Sequence, residues 1–199
     1  MKENYQLMTD AIIKEAGDTL PSLLLHACCA PCASYVLEYL TRHFSVTLYF
    51  HNPNIQPEAE YRTRLKELER LIAEMPFPNP VSILPCLYAP EEFTTLANGL
   101  EDEPEGGARC PKCYDLRLSA TAKAAKEHGF DFFTTTLSVS PYKKADWLHE
   151  IGTRLESELG VRYLPADFKK RGGYLRSIEL SKEYDLYRQN YCGCEYSKR

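Results

Sequence analysis

Leu23-Leu24-Leu25-His26-Ala27-Cys28-Cys29-Ala30-Pro31-Cys32 is the stretch from which the fold can be read. Its apolar start has the composition of a strand buried on both faces. It empties into three cysteines within five positions. After Pro31 the run Ala33-Ser34-Tyr35-Val36-Leu37-Glu38-Tyr39-Leu40 turns helical. The thiols therefore sit where a strand ends and a helix begins. In an open α/β sheet that loop faces the crevice where ligands bind, and a helix N-terminus favours thiolate over thiol.

Working outward, Val46-Thr47-Leu48-Tyr49-Phe50 reads as a second buried strand ending in the polar loop His51 to Pro57. Two strands joined by a helix make a parallel pair with a right-handed crossover. A long helix from Glu58 to Met75 carries Leu65, Leu68, Leu71 and Ile72 at helical spacing, and Val81 to Leu84 is a third strand. A helix near Pro90 to Ala97 precedes the acidic loop Asn98 to Ala108; Cys113 then opens a helix to about His128. Phe132 to Thr136 is a fourth strand, Lys143 to Leu159 a helix, Val161 to Leu164 a short fifth strand, and Tyr174 to Tyr184 a last helix. Strands alternating with helices predict one three-layer α/β domain over residues 1–199 with a mostly parallel sheet. Residues 1–20 form its N-terminal helical extension, with Leu7, Ile12 and Ile13 as a weak apolar face. Residues 165–199 form a cysteine-containing C-terminal tail returning to the site.

The chain has 199 residues, 44% hydrophobic and 26% charged, so it can build a core without disulfide staples. No stretch approaches the ~18 apolar residues of a membrane span, and the opening residues lack the apolar core of a signal peptide. The expected setting is cytoplasmic and reducing, where clustered cysteines mean metal or redox chemistry. A net charge of −4 gives no global support to nucleic-acid binding, so any such role must rest on local patches.

Seven of the eight cysteines fall into three turn-flanked groups, Cys28-Cys29-x-x-Cys32, Cys110-x-x-Cys113 and Cys192-x-Cys194, and only Cys86 stands apart as a buried apolar residue. Seven exceed what one tetrahedral zinc can use. They suffice for one iron–sulfur cluster plus a neighbouring metal or a redox-active pair. His26 and His51, at strand ends, read as structural residues rather than ligands. Lys169-Lys170-Arg171, followed by Gly172-Gly173-Tyr174, is either a solvated surface or a place to hold a phosphate backbone while Tyr174 stacks on a base. Two other readings fit parts of this pattern: a non-catalytic zinc-binding RNA-interaction module, and a thiol–disulfide redox protein using Cys192 and Cys194.

Taken together, Cys28-Cys29-Ala30-Pro31-Cys32, Tyr49-Phe50-His51-Asn52-Pro53-Asn54-Ile55, Cys110-Pro111-Lys112-Cys113-Tyr114, Phe132 through Pro141, Asp167-Phe168-Lys169-Lys170 and Tyr187-Arg188-Gln189-Asn190-Tyr191-Cys192-Gly193-Cys194 resemble, in order, the QueH type of epoxyqueuosine reductase. The resemblance implies a nucleotide-hydrolase-like, HUP-type Rossmannoid fold and reductive removal of the epoxide oxygen of epoxyqueuosine at the tRNA wobble position. It also implies a 4Fe-4S cluster and a nearby mononuclear metal, iron in the family. The third cysteine of the first motif can be aspartate in the family, and Cys32 fills that position here. The expected division is Cys29, Cys110 and Cys113 on the cluster, with Cys28, Cys32 and one of Cys192 or Cys194 at the second metal. A Cys192–Cys194 disulfide-forming pair is the competing assignment for the tail. Asp167, Tyr114 and His51 are candidate proton donors. Lys143, Lys144, Lys169, Lys170 and Arg171 are expected to rim the pocket and contact tRNA phosphates. The two electrons come from an external one-electron donor of ferredoxin or flavodoxin type.

Overall fold

In the computed structural model, which describes residues 4–198, β1 (Ser22–His26) is the central strand of a five-stranded sheet. Its neighbours are β2 (Ser45–Tyr49) and β4 (Phe132–Thr135), with β3 (Ser82–Leu84) and β5 (Arg162–Tyr163) at the edges. The order is β3-β2-β1-β4-β5 and every pair is parallel. Leu25 stands opposite Leu48 on β2 and Thr134 on β4.

Side-chain alternation along β1 separates the two outer layers. Leu23 and Leu25 join one core with Val36, Leu37, Leu68, Leu71 and Leu180, from α2 (Ala30–Leu40), α3 (Glu58–Glu74) and α7 (Gly173–Glu183). Leu24 joins the other with Leu118, Leu148 and Leu155, from α5 (Arg109–Glu127) and α6 (Ala145–Leu159). All three leucines are fully buried, each worth about 1.5–3 kcal/mol of transfer free energy. The continuous apolar run of β1 is thus the signature of a strand covered on both faces.

Two expectations shift. On α1 (Tyr5–Ala16) Ile12 and Ile13 pack against the core as expected, but Leu7 is exposed and the buried residues are Tyr5, Gln6 and Thr9. The Thr9 hydroxyl donates to the carbonyl of Pro165, and this polar contact sets the helix rotation where weak amphipathicity does not. The second shift is that α5 starts at Arg109, so Cys110 as well as Cys113 lies in its first turn.

The chain leaves β1 toward β2 and leaves β4 toward β5. Between those two strands the order reverses, and a crevice opens outside their carboxyl ends. Cys28, Cys29 and Cys32 follow β1 at that place. The turn Thr136–Val139 follows β4 beside them. Helix α4 (Pro90–Ala97) and the loop after it carry the chain across to α5 and cover one side.

Candidate active site

Cys29 is the N-cap of α2, and Pro31 occupies its first turn, where a missing N–H costs nothing. The sulfurs of Cys28, Cys29 and Cys32 all lie within 4.8 Å of one another. Cys28 Sγ is 3.8 Å from Cys29 Sγ and 3.6 Å from the Thr136 hydroxyl. The thiols of Cys29 and Cys32, with the Arg117 guanidinium adding to them, hold Cys28 well below the ordinary thiol range. The same sharing pushes Cys29 up to about 12 and Cys32 upward.

The other four clustered cysteines come from α5 and the tail. Cys110 Sγ accepts from the Gly106 N–H at 3.2 Å. Burial pushes Cys113 up to about 12. Cys194 packs with Cys113 against Phe93 and Ala97. Gly193 separates Cys192 from Cys194 with φ +107, and a Cβ there would lie 2.8 Å from Ile55 and 3.0 Å from Arg64 Nη1, so glycine is required. The tail is tied down at this point. Gly193 O accepts from Gln56 N at 3.0 Å, and Arg64 donates through Nη1 to Cys192 O at 3.2 Å.

A cavity of about 250 Å³ opens among these groups, lined by Cys28, Cys29, Cys32 and Cys192. A second cavity of about 10 Å³ is lined by Cys110, Cys113, Cys192 and Cys194. Cys192 lines both, together with Glu105 and Ser197. Four cationic side chains, Arg64, Arg117, Lys143 and Arg188, line the large cavity against one carboxylate, Glu105. The site is therefore locally cationic in a chain whose net charge is −4. Lys143 is 7% exposed; its Nζ donates to Glu105 Oε1 at 2.8 Å and to Cys192 Sγ at 3.2 Å. The mouth is aromatic and polar, with Tyr142, Tyr174, Tyr191 and Gln189.

All eight cysteines are unpaired, so the expected Cys192–Cys194 disulfide is absent from this structure. Cys29 lies with Cys28 and Cys32. Among the described residues Cys29, Cys110 and Cys113 do not form a group of comparable tightness, and Cys28 is the member of the pair that packs toward the α5 layer. Cys86 is half-buried, 4.0 Å from the Tyr61 hydroxyl and outside both cavities.

Of the expected phosphate contacts, only Lys143 lines the large cavity, and it is buried rather than at the rim. Lys144 lies over the Trp147 ring at 3.9 Å, Lys169 pairs with Asp167, and Arg171 pairs with Asp10 at 2.6 Å. Lys170 is exposed and outside the lining. Lys169 and Arg171 thus each have an acidic partner within the fold. Tyr174 does line the cavity. Asp167 and His51 do not; His51 pairs with Glu92 at 3.1 Å, and Tyr114 borders only the smaller cavity.

Arg64 and Arg117 were not singled out from the sequence, although both carry a signal. Arg64 falls on the buried stripe of α3 with Tyr61, Leu68 and Leu71. Arg117 lies four residues after Cys113 on the buried face of α5. A cation at a core position of an amphipathic helix is the mark of a site.

A family model described as epoxyqueuosine reductase QueH matches residues 23–199, which include every cysteine group of the site. The chain belongs to the epoxyqueuosine reductase QueH family. A relative from Streptococcus pyogenes serotype M1, named epoxyqueuosine reductase QueH, is 43% identical over all of this chain and 79% of its own length. One of the same name from Staphylococcus epidermidis is 42% identical over 98% of the chain and 85% of its own. Another from Thermotoga maritima is 35% identical over 88% and 90%. The QueH family match begins at the first residues of β1, so the sheet and the whole thiol-lined crevice are family property, whereas α1 precedes it.

Seven free thiols with three buried cations, Arg64, Arg117 and Lys143, fit an iron–sulfur centre. Thiolates are its ligands, and Arg117 and Lys143 supply positive charge where a cluster brings negative charge. Among the described residues, no helix is long and apolar enough to cross a membrane.

Proposed function

We propose that this protein is an epoxyqueuosine reductase, removing the epoxide oxygen of epoxyqueuosine at the wobble position of tRNA to give queuosine and water. The conversion takes two electrons and two protons, and the electrons enter singly from an external donor of ferredoxin or flavodoxin type. The observation that carries this reading is the gathering of three cysteine groups around two cavities that share Cys192, the larger one cation-lined, at the switch point of a QueH-family fold.

Cys28, Cys29, Cys32, Cys110, Cys113, Cys192 and Cys194 would together hold a 4Fe-4S cluster and a second metal, iron. When bound, such centres supply single electrons and a Lewis-acidic position. The chain's own residues do the rest. Arg188, exposed at the cavity mouth, is suited to a tRNA phosphate. Tyr142 and Tyr174 offer ring faces on which a splayed-out base stacks. The Gln189 Oε1 atom, buried and without a hydrogen-bond partner at the mouth, is an acceptor for a base N–H. Lys143 keeps a positive charge against Cys192.

The test is anaerobic purification with iron and sulfide analysis, followed by reduction of epoxyqueuosine-containing tRNA. Roughly four irons and four sulfides per chain, additional iron and conversion to queuosine support the reading. A colourless protein with stoichiometric zinc and no conversion overturns it.

A further inference from the structure

Arg117 is the largest unexplained feature of the site. Its side chain is 1% exposed, yet it carries a permanent charge. Two of its three nitrogens are fixed. Nη2 donates to Asn52 Oδ1 at 2.6 Å, and Nε donates to His26 Nε2 at 3.3 Å.

Both anchors are themselves locked. Asn52 Nδ2 donates to Ala27 O at 2.8 Å, which assigns the amide so that its oxygen faces the guanidinium. His26 has no exposed surface, and its ring is held on both sides, with Nδ1 2.9 Å from the Thr135 hydroxyl and Nε2 also 3.2 Å from the His51 carbonyl. His26 at the end of β1 thus braces the guanidinium from a fully buried position.

The third nitrogen, Nη1, is buried and has no hydrogen-bond partner. Arg117 lines the large cavity with Cys28 and Cys192 and lies one helical turn after Cys113. An orphaned charged donor in a dry site is costly unless a ligand satisfies it.

We propose that Arg117 is a positioning residue whose fixed guanidinium presents Nη1 to the anionic iron–sulfur centre and raises its reduction potential. The inference rests on the cluster reading above. Reduction adds one negative charge to the centre, so a cation fixed in a low-dielectric wall favours the reduced form. His26, Asn52 and Thr135 act through Arg117 by holding its plane.

The experiment is a redox titration of anaerobically purified protein, with iron, sulfide and thermal stability measured on each variant. Arg117→Gln is expected to keep the cluster and to lower its reduction equilibrium constant about tenfold or more, a shift of about 59 mV or more to negative potential. Arg117→Lys, which keeps the charge, is expected to stay nearer the wild type. Should Arg117→Gln fail to fold, Asn52→Asp places a carboxylate against Nη2 in nearly the same shape, and the same negative shift is expected. Loaded, folded variants with the wild-type potential overturn the proposal. A wild-type protein without iron and sulfide instead overturns the cluster reading on which it stands.

Discussion

Consider the pair Lys143–Glu105, which ties the loop before α5 to the segment before α6. Its N–O separation is 2.8 Å, with Lys143 7% exposed and the Glu105 side chain 23% exposed. At an effective dielectric near ~20 the gross attraction is about 6 kcal/mol. Desolvation of both ions offsets much of it, so the informative quantity is the cost of stranding one partner. Glu105→Gln leaves an ammonium that water barely reaches, and about 3–4 kcal/mol of stability should be lost. Lys143→Met leaves a carboxylate that is partly solvated, and the loss should be about 2 kcal/mol. The double variant strands neither ion, so it should be about 2 kcal/mol more stable than the sum of the singles requires. Urea unfolding of the four proteins, prepared anaerobically, measures the cycle. In a chain of this size each kcal/mol is worth about 2–4 °C, so melting curves give a second reading. Additivity within about 0.5 kcal/mol, or a greater loss for Lys143→Met than for Glu105→Gln, would refute the reasoning.

Gly152→Ala tests the packing of α6 on the sheet: the new Cβ would stand 2.5 Å from three carbons of the buried Tyr163 ring, which Phe133 and His149 flank. Overpacking should outweigh the helix-propensity gain, giving a net loss of about 1–3 kcal/mol in thermal unfolding. Asp131 accepts from the Ser22 N–H at 2.8 Å and the Ser22 hydroxyl at 2.7 Å, and these bonds lower its pKa. A folded pKa below the unfolded value gives stability that is present above about pH 4 and lost as the pH falls through the folded pKa. The stability difference between wild type and Asp131→Ala should therefore shrink below about pH 4, and a constant difference in unfolding across that range would count against the assignment. Tyr142, 71% exposed at the cavity mouth, should be dispensable for folding; Tyr142→Ala should weaken tRNA binding by about 1–3 kcal/mol in a filter or fluorescence titration, as for loss of one stacked base.

Much of the architecture was legible because β1 declares itself: an unbroken apolar run followed by turn-forming residues has few other readings. The cysteine groups were legible as a site because each is closely spaced and flanked by turn-forming residues. The apolar face of α1 was legible at Ile12 and Ile13, which pack on the core, but not at Leu7, because the first turns bury Tyr5, Gln6 and Thr9 through polar contacts that hydrophobic spacing ignores. The ion pairs of the basic residues were not legible for a related reason. Lys169 and Arg171 look free in a linear sequence, but the fold brings Asp167 and Asp10 to them. The cations that do line the cavity, Arg64 and Arg117, stand alone inside otherwise apolar helix faces, where counting charge clusters overlooks them.

The thiols of the site come from segments about 80 residues apart, and only the docked loops bring them together. An unfolded chain carries the same sulfurs but no cavity. Whatever binds there therefore draws on the folding equilibrium, and occupancy becomes a term in the protein's lifetime. Under iron starvation such a protein should lose abundance along with activity, because the empty form opens more often and is the form that proteases meet.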